Sequence, residues 1–280
     1  MQVKSKVPVS FEVFPPKTLN GFRKLNETCA QLQELGPRFF SVTFGAIGAH
    51  QLKTLVAVRS LARNDITAVP HLSCVNMTAE RLERILHRYM EFGVRHLVVI
   101  RGDLVTDKGM VVSEFKYASD LIAHIRKISG NYFHITAAAY PEFHPEAKDS
   151  EQDLMHFKRK IDAGADSAIT QFFYNCDAYA RFLESCHQLE IKVPIIPGIM
   201  PINDYARLLR ISASCGAEIP LWLRKRLELY ASDPQSIQSL GIEIVTKLCE
   251  RLLSEGAAAL HFYTLNQLDP VRTIHGNLGL

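Results

Sequence analysis

Short runs of β-branched and aromatic residues recur along the chain. Longer stretches separate them, in which apolar residues return every three or four positions. The first pattern predicts strands at 9–14, 39–44, 68–73, 96–101, 133–140, 167–174, 193–199 and 261–265. Most are apolar on both faces, as strands covered on both sides are. The second pattern predicts amphipathic helices. The clearest are 20–35, ending at Gly36-Pro37, and 78–92, from an N-cap threonine to Gly93. Two more run from Ser150 to Gly164 and from Asn203 to Gly216. Only the seventh crossover is long, with extra helices around 221–230 and 236–254.

Eight β-then-α units in 280 residues predict a single-domain (β/α)8 barrel over residues 1–280. An open doubly wound sheet is the alternative, weakened because neither GxGxxG nor GxxxxGK[ST] occurs. GAIG at 45–48 reads as a turn.

Composition narrows the class. Hydrophobic residues make up 47% and charged residues 22%, the balance of a soluble globular protein. A net charge of +3 gives no reason to expect nucleic acid or a membrane surface. The first ten residues have no apolar signal region, and no apolar run is long enough to span a bilayer. Six cysteines without CxxC spacing or a zinc-like cluster predict reduced thiols, no metal and a cytoplasmic location.

In a (β/α)8 enzyme the chemistry gathers where the strands end. The run SFEVFPPK places Glu12 in an otherwise apolar strand that Pro15-Pro16 terminates. The other strand ends carry Thr43, then His71, then Arg101 and Asp103, then Tyr140, Glu142 and His144, then Gln171. Each has a bland reading: a structural ion pair for Glu12, a hydrogen-bonded core histidine for His71, a turn for the RGD at 101–103. Gln171 can satisfy backbone groups, and Phe172, Phe173 and Tyr174 can be barrel packing. Their recurrence on one rim favours a site. The segment 149–160 adds Asp153, His156 and Lys160 on one helical face, with Arg159 beside them. Such a face is ordinarily solvated, and it gains meaning only beside a phosphate-bearing ligand.

Together SFEVFPPK, SVTFGA, PHLSC, VIRGD, AAAYPEFHPEAKDSEQDLMHFKRKIDAGAD, ITQFFYN, PIIPGIMPI and HFYTLN resemble the methylenetetrahydrofolate reductases of the bacterial single-domain form. The resemblance runs from about residue 9 to residue 266, and the long fifth block is its most specific part. It implies an FAD-binding barrel with a ping-pong reaction. NADH or NADPH reduces the flavin and leaves, and 5,10-methylenetetrahydrofolate then enters and becomes 5-methyltetrahydrofolate. It implies catalytic roles for Glu12, Asp103 and Gln171, with Glu12 as general acid at a largely apolar strand end. It implies cofactor contacts at Thr43, Phe44, Ala46, His71, Arg101, Gly102, Asp103, Tyr117, Ala118, Tyr140, His144, Ala147, Asp153, His156, Arg159 and Lys160. Folate would meet Asp103, Gln171, Arg207, Ile211 and Gln267. Phe44, His156, Arg207, Ile211 and Gln267 depart from the residues common in the family. A homo-oligomer is expected from the same likeness. Two other readings stand beside it: a related barrel flavoprotein fed by a partner subunit, and a non-catalytic barrel that binds folate or a protein.

Overall fold

In the computed structural model, which describes residues 7–44, 48–102 and 113–280, eight parallel strands close into a barrel in chain order. They are β1 (Val9–Val13), β2 (Phe40–Val42), β3 (Ala68–Ser73), β4 (His96–Ile100), β5 (His134–Ala139), β6 (Ser167–Phe172), β7 (Ile195–Ile199) and β8 (Leu260–Tyr263). Each predicted strand is present, most of them shorter than the apolar run that announced it. Residues such as Phe14 and Phe44 leave the ladder after their strands end.

The outer layer holds α1 (Leu19–Gln33), α2 (Gly48–Ala62), α3 (Ala79–Glu91), α4 (Ala118–Ser129), α5 (Ser150–Asp162), α6 (Cys176–Gln188), α7 (Tyr205–Cys215), α8 (Leu221–Glu228), α9 (Pro234–Ser254) and α10 (Asp269–Asn277). The long seventh crossover contains α7, α8 and α9, as its sequence predicts. Two helix starts move. The carboxylate of Asp149, rather than the Ser150 hydroxyl, accepts from Gln152 N, and Asp204, rather than Asn203, caps α7. GAIG is not wholly a turn, since Gly48 opens α2, while 45–47 lie outside the described residues.

Period two sorts the side chains of each strand. On β1, Val9, Phe11 and Val13 face the helices, and Phe11 packs against Phe40 and Phe262 with ring centroids 5.6 and 6.1 Å away. Leu25, Cys29 and Leu32 of α1 complete that core. Burying each such leucine contributes about 1.5–3 kcal/mol. The alternate residues point into the barrel, where Val69, Val98 and Ile169 form an apolar middle layer. Below it, His96 Nε2 meets Thr136 Oγ1 at 2.7 Å, Thr136 meets Ser167 Oγ at 2.7 Å, and His134 Nε2 meets Ser167 at 2.8 Å. That polar floor is hydrogen-bonded within itself. All six cysteines are free thiols, and Phe172, Phe173 and Tyr174 are buried packing residues.

Candidate active site

The upper end of the barrel is built around Glu12. The strand register sets Ser10 opposite His261 and Glu12 opposite Tyr263. All four therefore share the inward side of the seam between the first and last strands. Glu12 Oε2 lies 3.5 Å from His71 Nε2 and 4.0 Å from His261 Nε2. The expected apolar surroundings of Glu12 are thus imidazoles. The alternative ion pair with lysine or arginine is absent among the described residues. His261 Nδ1 meets Ser10 Oγ at 2.7 Å, and its Nε2 lies 3.4 Å from Ser41 Oγ. His71 Nε2 is buried without a hydrogen-bond partner, at ion-pair distance from Glu12 but outside hydrogen-bond geometry. Burial lowers the His71 pKa against the opposing pull of Glu12, while His261 lowers it further. Glu12 is 20% exposed against 8% for His71 and 1% for His261, so solvent reaches the carboxylate first.

Backbone and loop contacts fix this carboxylate. The Thr264 hydroxyl donates to Glu12 O at 2.6 Å. Asn266 donates through Nδ2 to Phe14 O and accepts from Phe14 N, both at 2.9 Å. Leu265 and Asn266 adopt φ of 53° and 57° to bring that amide round. The Tyr263 hydroxyl donates to Thr170 O at 2.6 Å. Its pKa is pushed far up, by burial first and then by Glu12. His261, Tyr263 and Asn266 were not among the expected site residues. Their signal lay in HFYTLN, where alternation puts 261 and 263 on one face once the last strand pairs with the first.

Gln171 occupies a register irregularity between β6 and β7, spanning Ile169 to Phe172. Bulges of this kind re-aim a side chain beside a site. Its Oε1 accepts from Phe172 N at 3.0 Å, and its amide nitrogen has no partner among the described residues. The amide does satisfy a backbone group, with its donor side left over. Gln171 shares a small cleft with Tyr140 and Glu142. Glu142 Oε2 accepts from Glu218 N at 2.7 Å, while its Oε1 is buried without a partner and burial raises its pKa.

A second group lies along β4, β5 and α5. Arg101 makes a two-pronged pair with Glu146, at 2.8 and 2.6 Å, so its local partner comes from the β5–α5 loop. Gly102 has φ +82°, and a Cβ there would lie 2.1 Å from Ser73 Oγ, which excludes any other residue. His144 N donates to Asp153 Oδ2 at 3.0 Å, and Ala147 N to His144 O at 2.9 Å. Tyr140 meets the His144 ring edge-on at 4.8 Å, and Tyr117 stacks on His156 at 5.7 Å. Ala118 opens α4. Lys160 Nζ donates to Ala138 O at 2.6 Å, and burial brings its pKa down to about 8 against the pull of Asp153. The structure therefore brings Asp153, His156 and Lys160 to one side of α5, as their spacing predicts, and leaves Arg159 exposed.

Several expected residues fall elsewhere. Phe44 packs toward the helices with Leu52 and Leu55, because Phe40 and Val42 already define the outward face of β2. Thr43 takes the inward parity, and its carbonyl accepts from Thr54 Oγ1 at 2.8 Å. Ala46 and Asp103 lie outside the described residues. Arg207 and Ile211 are half-buried on α7, and Ile211 packs on the core. Gln267 accepts a hydrogen bond from Asn203, which ties the loop after β8 to the approach to α7.

The residues present suit a long ligand with an anionic middle. Arg101 and Lys160 supply cations, the Tyr117–His156 stack supplies a flat face, and Gly102 permits close approach of the backbone. Glu146 competes for this site, since its carboxylate fills the Arg101 fork. No cluster of metal-ligating side chains occurs among the described residues. No helix there is long and apolar enough to cross a membrane.

Comparison with known proteins agrees with this geometry. The family model for methylenetetrahydrofolate reductase matches residues 1–279. The 5,10-methylenetetrahydrofolate reductase of Buchnera aphidicola subsp. Schizaphis graminum is 39% identical over 279 residues, covering 99% of this chain and 94% of that protein. That of Escherichia coli (strain K12) is 36% identical over 280 residues, covering 100% and 93%. Methylenetetrahydrofolate reductase (NADH) 1 of Arabidopsis thaliana is 38% identical over 97% of this chain, which spans 48% of the plant protein. Among solved structures, a Clostridium thermocellum protein that binds two copies of 5-methyl-5,6,7,8-tetrahydrofolic acid superposes with a TM-score of 0.65. At 17% identity over 97% of this chain and 93% of that one, this is a likeness of fold. A family match along nearly the whole length, with relatives of similar span more than a third identical, means that the chain belongs to the methylenetetrahydrofolate reductase family.

Proposed function

We propose that this chain reduces 5,10-methylenetetrahydrofolate to 5-methyltetrahydrofolate, taking electrons from NADH or NADPH through bound FAD in two alternating half-reactions. The observation that carries the reading is the Glu12 carboxyl at the open end of the barrel, backed by two imidazoles, in a chain of this family. Arg101, Tyr117, His144, Asp153, His156, Arg159 and Lys160 would hold the cofactor, its diphosphate on the cations and a ring face against Tyr117. FAD bound there supplies hydride transfer.

The chain's own task is the proton. Opening the folate's five-membered ring requires a proton at N10, and Glu12 gives it. Solvent, which reaches the 20%-exposed carboxylate, returns its proton, while His261, held between Ser10 and Ser41 and 4.0 Å away, lines its inner side. Gln171 offers its free amide N–H to the carbonyl edge of a pterin or a nicotinamide. Asp103 is proposed as the second pterin contact and as a charge that tunes the flavin potential. The protein is proposed to work in the cytoplasm as a homo-oligomer, within one-carbon metabolism and methionine biosynthesis.

The test is anaerobic. NADH or NADPH should bleach the flavin, and methylenetetrahydrofolate should restore its colour. Glu12→Gln should bleach at the wild-type rate and recover at least about a hundredfold more slowly, the usual span of a lost general acid. Full folate turnover in that variant would remove Glu12 from the proposed role. A flavin that ignores both nicotinamides would favour the partner-fed reading.

A further inference from the structure

On the outer face of the barrel, α2 and α3 enclose a groove of about 220 Å³. Phe44, Leu52, Leu55 and Ile85 give it an apolar wall, and Arg81, Arg84 and Arg88 line it from α3. The arginines recur at steps of three and four, so they share one helix face along roughly 10 Å. Their charges are poorly matched from within. Among the described residues Arg84 pairs with Glu80 alone, at 3.6 Å and in solvent, where such a pair contributes little. Arg81 Nη1 donates to Asn76 O, and Arg88 has no ion-pair partner among the described residues. Neighbouring like charges on one helix face oppose helix formation. Tyr89, which also lines the groove, is 1% exposed, and its hydroxyl has no hydrogen-bond partner among the described residues. That hydroxyl opens onto the groove, where an occupant's polar group can accept from it.

We propose that this groove binds a compact anion with an aromatic or acyl body, its acidic group on Arg84 and Arg88 and its apolar part against Phe44 and Leu55. The same occupancy reaches the barrel rim. Phe44 directly follows Thr43, whose carbonyl is pinned by Thr54 of α2, so an occupant seated between α2 and Phe44 acts on the end of β2. The groove is a regulatory site in this reading; binding to it stands independently of the redox activity proposed above, and its coupling to the rim rests on the proposed flavin.

The probe is 1-anilinonaphthalene-8-sulfonate, titrated by fluorescence into flavin-loaded protein. One saturable site is expected. Affinity should fall at least about tenfold in Arg84→Glu/Arg88→Glu, the loss of charge-assisted contacts, and several-fold in Tyr89→Phe. Both arginines are exposed, so the double variant should melt with the wild type. Uncharged N-phenyl-1-naphthylamine should bind much more weakly. Equal affinity of wild type and double variant, or of charged and uncharged probe, would overturn the site. A flavin absorption spectrum that saturating probe leaves untouched would overturn the coupling through Phe44.

Discussion

The polar floor of the barrel makes a quantitative claim about acid stability. His96 is half-buried there, donating to or accepting from Thr136 and lying edge-on to Phe39 at 4.8 Å and to His134 at 4.6 Å. Burial first, then the three neighbouring histidines His134, His261 and His71, push its pKa down to about 3. The unfolded chain holds a histidine near its ordinary 6.5, so between these values only the unfolded state takes up the proton. The His96 contribution to stability is therefore complete above pH 6.5 and is lost as the pH falls toward 3. Two pH units at 1.36 kcal/mol each set a ceiling of about 2.7 kcal/mol between pH 6.5 and 4.5, and partial exposure brings the expectation to about 2. His96→Gln isolates the effect, since glutamine can still bond Thr136 but does not titrate. It loses the two ring contacts, about 1–2 kcal/mol together, at every pH. Urea unfolding of both proteins across this range should show the variant less stable at pH 7.5 and the gap closing or reversing by pH 4.5. Two stability curves that stay parallel from pH 7.5 to 4.5 would refute the assignment of that proton to His96.

Other sites give shorter tests. Asn266→Ala removes both hydrogen bonds to the Phe14 backbone and puts alanine at φ 57°, so thermal unfolding should reveal a loss of about 2–3 kcal/mol, with Asn266→Gly recovering only the backbone part. Lys160→Met should weaken FAD retention about tenfold or more, and wild-type retention should itself decline as the pH rises through about 8, where the amine loses its charge; a flat profile in equilibrium dialysis would count against that contact. Gly198→Ala would set a Cβ 2.2 Å from Thr170 O, between β6 and β7, and should cost about 3 kcal/mol or more, visible as loss of soluble protein.

The barrel was legible because its strands are continuous apolar runs and the clearest helices, α1, α3, α5 and α7, each run up to a glycine. The rim was legible in outline, since Glu12, His71 and Gln171 lie in the C-terminal halves of their strands and Arg101 directly follows one. What surrounds Glu12 was not. A strand read alone shows neighbours 11 and 13, while the residues that touch residue 12 come from positions 71 and 261. Phe44 misled for a related reason: it continues the strand's spelling but also its outward parity, so it serves the helix layer. The bulge that aims Gln171 leaves no mark in the sequence, because it depends on how β7 meets β6.

Closure between β1 and β8 has a kinetic consequence. The Ser10–His261 contact joins residues 251 apart, and Thr264 reaches Glu12 across 252. Pairing at such separations is slow to form, because the long loop must close before any contact rewards it. On the ribosome, β1 emerges ahead of the other strands and waits with one edge unpaired until β8 has been made. The proposed acid thus meets His71 as soon as β3 is in place but acquires His261 only when β8 closes the barrel. A chain halted before β8 would hold Glu12 on an open strand, exposed to mispairing and without His261 behind it.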